Sequence, residues 1–184
     1  MCKIRRTWRL VAVVCLAVFI LAGCERNDDL ITEIGTITVD YDAPINESID
    51  RAPYSYVNVH MYDRNMFPKE GSGRTDLKIF AVSFAGDIGL SRRASFTYID
   101  ERRLSGLGMR AITLQELIPV AQLLRRIGQY KNRCLVAIGS RHCFFGDIEA
   151  EVAPCIIADK ASYRLDLYGI GRDPNALYLA VRKN

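Results

Sequence analysis

Residues 36–41 read Thr-Ile-Thr-Val-Asp-Tyr, so Ile37, Val39 and Tyr41 alternate with polar side chains. Successive side chains of a β-strand point to opposite faces, and this period of two therefore predicts a half-buried strand. The same alternation runs through residues 56–62, which read Tyr-Val-Asn-Val-His-Met-Tyr. The first part of the folded domain is therefore expected to be a β-sheet with one face against a core.

Two further runs, Leu77–Ala85 and Leu135–Ile138, are largely apolar on both faces and predict central strands of a sheet. Additional strand patterns cover residues 94–99, 147–152, 163–169 and 176–182. Together they predict one mainly β domain, either a β-sandwich-like fold or a twisted antiparallel sheet. An α+β fold is the alternative.

One segment has helical periodicity. Its apolar residues lie at positions i, i+3, i+4 and i+7 and are Val120, Leu123, Leu124 and Ile127. This spacing predicts an amphipathic helix in which Pro119 is the first residue and Gly128 ends the helix. Alternatively, Thr113 and Glu116 form a capping box that begins a longer helix kinked at Pro119.

The first 23 residues predict an export signal. They carry four cations, Lys3, Arg5, Arg6 and Arg9, and no acidic residue precedes Glu25. Residues 10–21 form an apolar run of 12, which is shorter than the roughly 20 residues needed to span a bilayer. The sequence Leu21-Ala22-Gly23-Cys24 follows and resembles the lipobox of bacterial lipoproteins, in which the cysteine is acylated before cleavage.

This resemblance implies the organisation of the whole chain. Residues 1–23 would be removed, Cys24 would carry the lipid, residues 24–30 would form a short tether, and residues 31–184 would form a single periplasmic domain. Glu25 follows the lipidated cysteine, where inner-membrane retention in enterobacterial lipoproteins uses Asp. We therefore expect attachment to the periplasmic face of the outer membrane.

Three cysteines remain for the fold, namely Cys134, Cys143 and Cys155, because the others lie in the signal or at the acylation site. The periplasm favours disulfides, and a hairpin near residues 146–147 would bring Cys143 and Cys155 together. This pair is the predicted disulfide, while the pairings with Cys134 stay open. With His142 the three cysteines supply zinc-ligand types, but their spacing matches no zinc motif, so we expect neither a metal nor another cofactor.

Charge is unevenly distributed along a chain that is neutral without its signal, with 21 basic and 21 acidic residues. Residues 92–141 carry 10 basic and 3 acidic groups, whereas residues 24–91 carry 6 and 12. The predicted partner-binding residues are the paired arginines of the basic block, Arg92, Arg93, Arg102, Arg103, Arg125 and Arg126. We expect them to meet an acidic protein or lipid phosphates, and no nucleic acid. Alternatively, the basic block pairs with the acidic one inside the fold.

The sequence contains no convincing catalytic motif. Only His60 and His142 could act as the base of a Ser-His-Asp triad. Residues 81–85 lack the glycines of a nucleophile elbow, and residues 106–111 match the dinucleotide glycine pattern but follow a charged stretch instead of a buried strand. We therefore expect a binding function and no enzymatic activity.

Residues 37–62 carry a resemblance to a known family. A first strand, Asn46, an acidic irregular stretch ending at Pro53 and a second alternating run ending at Tyr62 resemble the opening of TssJ, the outer-membrane lipoprotein family of type VI secretion systems. The family usually has Gln-Leu after this tyrosine, where the present chain has Asp63-Arg64. The resemblance implies a β-sandwich that recruits an inner-membrane partner through exposed loops without catalysis, and residues 68–75 are the candidate loop.

Two binding roles follow from these observations. The first is a protein-binding or assembly module of an envelope complex, such as that of a secretion system. The second is a lipid-tethered immunity or inhibitor protein that neutralises a toxin or hydrolase in the periplasm. Neighbouring sheath and baseplate genes would favour assembly, whereas a neighbouring toxin gene would favour immunity.

The lipobox predicts the effect of changing one atom. Labelled palmitate should enter the wild-type chain and hold it in the membrane pellet, whereas Cys24→Ser should be unlabelled and soluble because the acylated thiol is missing. Metabolic labelling followed by sedimentation measures both properties. Label retained by Cys24→Ser would contradict the prediction.

Overall fold

The computed structural model describes residues 29–69, 71–84, 95–144, 150–160, 162–169 and 175–183. Its strands are β1 (Leu30–Asp40), β2 (Tyr54–Val57), β3 (Arg74–Ser83), β4 (Met109–Ala111), β5 (Arg133–Val136), β6 (His142–Phe144), β7 (Ala150–Ala158), β8 (Tyr163–Gly169) and β9 (Leu177–Arg182). Its helices are α1 (Ile45–Arg51), α2 (Phe96–Tyr98), which continues as a π-helix (Ile99–Leu104), α3 (Leu114–Leu117) and α4 (Val120–Ile127). The prediction of a mainly β fold with an amphipathic helix is confirmed.

All of these strands belong to one mixed sheet in the order β1-β3-β9-β5-β7-β8-β2, with β4 also paired to β9 and β6 to β7. The β2–β8 and β5–β9 pairs are parallel, and the others are antiparallel. Strands β1 and β2 are therefore the two edges of the sheet. Among the described residues, no helix has the length and apolar character needed to cross a membrane.

Each face of the sheet has its own apolar core. On β3, Ile79 and Ala81 belong to the core that packs under α3 and α4, whereas Phe80 and Val82 belong to the core that packs under α2 and the π-helix. Alternate residues of one strand thus contact different helices, as the period of two requires. We call the two faces the α4 side and the α2 side.

The sheet forks beyond Val136, the last residue of β5. From that point β9 pairs with β4, and β7 pairs with β6. At the fork the Gly139 N–H donates to the Ile112 carbonyl at 3.0 Å. A Cβ at position 139 would lie 2.6 Å from that oxygen, so only glycine fits this contact.

The helical prediction is confirmed, with Pro119 as the N-cap instead of the first helical residue. Helix α4 spans Val120–Ile127 and ends at Gly128, which adopts the left-handed conformation with φ 63°. Thr113 and Glu116 form the capping box, and this box begins α3. Pro119 separates α3 from α4, so both of the expected helix starts occur.

The strand expected over Leu135–Ile138 continues only to Val136, and two other strand predictions are wrong in part or entirely for a shared reason. The strand expected over residues 56–62 ends at Val57, because the Asn58 side chain accepts a hydrogen bond from the His60 N–H and caps a 3-10 turn, Val59–Tyr62. The strand expected over 94–99 is the start of α2, where the Ser95 hydroxyl accepts from the Tyr98 N–H at 3.1 Å. In both places a side-chain cap overrides the apolar alternation.

The predicted disulfide between Cys143 and Cys155 is also wrong. Cys143 pairs with Glu151 on β7, four residues before Cys155, which corresponds to about 13 Å along a strand. A disulfide requires Cα atoms within about 7 Å. Cys155 is instead a buried free thiol hydrogen bonded to the free thiol of Cys134, and this bond together with burial raises the pKa of Cys155.

The buried thiol pair predicts a specific pattern of alkylation. In the folded protein at pH 8, Cys134 and Cys155 should react with iodoacetamide at least about 100-fold more slowly than in denaturant, because burial blocks access to both sulfurs and the raised pKa of Cys155 also depletes its thiolate. Quantitative peptide mass spectrometry over time measures the rates. A Cys155 that reacts at the denatured rate, or is recovered as a disulfide, would refute this description.

Candidate functional site

The structure does not gather the described members of the predicted arginine set on one surface. Arg92 and Arg93 lie outside the described residues. Arg102 is exposed on the π-helix, on the α2 side of the sheet. Its neighbour Arg103 forms an ion pair with Asp29 and is only 25% exposed. Arg103 therefore holds the beginning of β1 against the π-helix, and its charge is neutralised within the fold.

The other pair of arginines lies across the sheet. Arg125 and Arg126 are exposed in the last turn of α4, on the α4 side. The apolar residues of the sheet separate them from Arg102, because the two cores belong to opposite faces. A flat partner could therefore meet only one of these pairs at a time.

Exposed apolar residues cluster along the chain at the end of β2, an edge strand of the sheet. Tyr56 is 46% exposed, Val59 73% and Tyr62 42%. The other exposed large apolar side chains among the described residues are Leu30 and Tyr98. Three of these five side chains thus lie within seven consecutive residues at one edge of the sheet. We call this cluster the Tyr56 surface.

The Tyr56 surface is held by contacts with ordered side chains. The Arg164 guanidinium lies 5.1 Å from the centre of the Tyr56 ring, within the range of a cation–π contact. The Tyr62 hydroxyl donates to the Asp50 carboxylate at 3.0 Å and so ties the 3-10 turn to α1. Both rings are therefore fixed in place while a large part of each remains exposed, which lowers the entropy lost when a partner covers them.

A groove of about 540 Å³ begins beside the Tyr56 surface. It lies between the start of β2, the end of α4 and the β7–β8 hairpin, and its cations are Arg125, Lys131 and Lys160. Asp159 is the acidic residue of its lining. We call it the basic groove. Arg125 therefore lines the basic groove, whereas the adjacent Arg126 does not.

A second cleft, of about 360 Å³, lies at the fork of the sheet. In its wall Glu116, which is 1% exposed, binds Arg110 through two parallel hydrogen bonds of 2.7 and 2.8 Å. The Tyr41 hydroxyl and the Thr113 N–H also donate to this carboxylate. An ion pair between Arg141 and Asp100 of the π-helix, at 3.1 Å, lies beside it, with Asp100 in the cleft wall. We call this site the fork cleft.

The protonation states of the fork cleft follow from these contacts. Burial alone would raise the pKa of Glu116, but the hydrogen bonds from Arg110, Tyr41 and the Thr113 N–H hold it below the ordinary value. Burial and the hydrogen bond to Glu116 raise the pKa of Tyr41 to about 12. At neutral pH Glu116 is thus a carboxylate that accepts four hydrogen bonds. It has no free lone pair to accept a substrate proton, so the network serves as a rigid wall.

The loop expected to contact a partner, residues 68–75, is fixed against the end of β1. Gly71 has φ 88°, and a Cβ there would lie 3.0 Å from the Tyr41 ring. The Asp42 carboxylate accepts from the Gly73 N–H at 3.1 Å. Glu70 lies outside the described residues. The described part of this loop therefore covers the Tyr41 side of the fork cleft.

The two histidines considered as candidate catalytic bases lie on different elements of the fold. His60 is exposed in the 3-10 turn after β2, whereas His142 lies on β6. Neither histidine lines the fork cleft or the basic groove. Within the described ranges, no group of three or more His, Cys, Asp or Glu side chains is arranged to hold a metal ion.

Comparison with known proteins gives no relative from which a function could be transferred. No protein-family model, no curated protein and no solved structure matches this chain.

The Glu116 network predicts an acid-sensitive contribution to stability. The pKa of this group is lowered in the folded state, so its contribution is present above the pKa of the unfolded state and is lost as pH falls through the folded-state value. Glu116→Gln should reduce the free energy of unfolding at pH 7 by about 2 kcal/mol, because Arg110 keeps a partly buried charge without its partner.

Urea denaturation at pH 7 and pH 3 measures both effects. The matched control is Glu33→Gln, which removes an exposed ion pair with Lys78 and should cost less than about 1 kcal/mol. If the two variants lose equal stability at pH 7, or if Glu116→Gln keeps the full acid sensitivity of the wild type, Glu116 does not have this role.

Proposed function

We propose that this chain is an outer-membrane lipoprotein whose periplasmic domain binds another envelope protein and catalyses no reaction. The observation that carries the proposal is the Tyr56 surface. Tyrosine and arginine are enriched where proteins contact each other, and here Tyr56 is stacked under Arg164 at an edge of the sheet. Such a preformed aromatic surface is suited to protein binding.

The position of the tether supports the same role. Five chain steps separate the proposed lipid at Cys24 from Asp29, which the ion pair with Arg103 fixes to the domain. These steps extend at most about 18 Å. The Tyr56 surface belongs to the opposite edge of the sheet, six strand spacings or about 29 Å away from β1. The proposed anchor and the proposed binding surface therefore do not compete for the same edge.

Assembly of an envelope complex is the form of this function that we favour over immunity. The Tyr56 surface falls in residues 37–62, the stretch that resembles the assembly lipoproteins described above. An immunity protein would use the same kind of surface against a toxin, so the identity of the partner separates the two roles.

The proposal predicts that two substitutions on the Tyr56 surface strongly weaken partner binding. Tyr56→Ser with Val59→Ser removes apolar contact area at exposed positions and should leave the fold intact. Co-purification from cross-linked envelopes, quantified by mass spectrometry, should show one protein enriched with the wild type and reduced at least about 10-fold with the double variant.

Tyr98→Ser is the matched control, because it changes an equally exposed tyrosine on the α2 side. This control should retain the partner at the wild-type level. Equal recovery from the double variant and the wild type, or equal loss in the control, would overturn the assignment of the Tyr56 surface.

A further inference from the structure

We infer that the basic groove binds an acidic segment of the partner protein, with carboxylate side chains meeting Arg125, Lys131 and Lys160. This inference rests on the proposed function and adds the chemistry of the partner to it. The charge of the groove favours an acidic ligand. The groove combines three cations with one acidic residue, Asp159, and a carboxylate ligand would relieve the repulsion among the cations.

The charges of the groove are available to a ligand. All three cations are exposed, and none of them forms an ion pair with another described residue. This distinguishes them from Arg103, Arg110 and Arg141, whose charges are each paired inside the fold. Arg125 and Lys131 of the basic block thus lie at one site with Lys160 of the β7–β8 hairpin.

The backbone that carries Lys131 is held in an unusual conformation. Tyr130 has φ 64° and Asn132 has φ 58°, so both neighbours of Lys131 are left-handed. This conformation is uncommon for an aromatic residue, and it persists only where the surroundings enforce it. Here the Tyr130 ring packs against the core of the α4 side. The packing fixes the loop and holds Lys131 at the groove.

Two hydroxyl groups of the groove, those of Tyr54 and Ser55, already donate to backbone carbonyls. The Tyr54 hydroxyl donates to the Ile118 carbonyl at 3.2 Å, and the Ser55 hydroxyl donates to the Tyr163 carbonyl at 3.2 Å. The three cations are the groups of the lining whose charge attracts a carboxylate. The volume of about 540 Å³ lies in the range of ligand sites and admits a few side chains of an extended segment.

The groove and the Tyr56 surface adjoin along β2. Tyr54 and Ser55 line the groove, and Tyr56 follows directly in the chain. One partner can therefore cover the exposed rings with apolar residues and extend an acidic stretch into the groove. An apolar contact flanked by charged groups is the usual anatomy of a protein interface.

The test uses the mature lipoprotein in detergent and the peptide acetyl-Glu-Glu-Glu-Glu-amide as the probe. Isothermal titration calorimetry at low salt should detect binding. Arg125→Gln or Lys131→Gln should raise Kd at least about fivefold, whereas Arg126→Gln should change it less than about twofold, because adjacent helical residues face different directions. Raising the salt concentration should weaken the wild-type interaction.

Three results would overturn the inference. These are no binding of the peptide, equal effects of Arg125→Gln and Arg126→Gln, and displacement of the peptide by an equal concentration of inorganic phosphate, which would indicate a phosphate site. Failure here is distinguishable from failure of the proposed function. If the Tyr56 surface captures its partner but the groove does not bind the peptide, only the inference about the groove is refuted. If the peptide binds through Arg125 but the Tyr56 surface captures no partner, the proposed function is refuted.

Discussion

The buried carboxylate of Glu116 is the constraint on which the arrangement of the fold depends. Removing a carboxylate from water costs several kcal/mol unless hydrogen bonds and an opposite charge replace the solvent. Here the replacement comes from three places in the chain, namely Tyr41 after β1, Arg110 on β4 and the Thr113 N–H before α3. The adjacent Gln115 side chain donates to the Asp40, Tyr41 and Ala43 carbonyls. One helical turn therefore fixes the end of β1, the fork of the sheet and the start of the α3–α4 layer.

The proposed binding surfaces are held rigid by that arrangement. Helix α4 continues from α3, packs Leu123 against Gly35 of β1 and ends at Gly128, where the loop carrying Lys131 begins. The far edge of the same sheet carries Tyr56 next to Arg164 of β8. A partner would thus meet Tyr56 and Arg164 on strands, Arg125 on a helix, and Lys131 on a loop that the packing of Tyr130 holds in place.

Local periodicity was enough to predict most of the strands and all of α4, because each depends on the spacing of neighbouring apolar residues. The split of the arginines was not predictable in that way. Arg102 and Arg125 lie on opposite sides of the sheet. This placement depends on the order in which the strands pair, and strand pairing joins residues that are far apart in the sequence. The Thr113–Glu116 capping box could be recognised, but the contact of Glu116 with Tyr41 spans 75 residues. The Tyr56 surface was missed because the alternation at Val59 and Met61 resembled a strand, although Asn58 is a good capping residue.

The central claim is that the β2 edge of this domain is its contact with another envelope protein. The most direct measurement is site-specific photocross-linking in living cells, with a photoreactive phenylalanine analogue at position 56 and, as the control, at Thr36 on the exposed face of the opposite edge strand. The account predicts one discrete cross-linked product from position 56, containing a single other envelope protein, and none from position 36. Products of equal yield from both positions, or a product from position 36 alone, would contradict it.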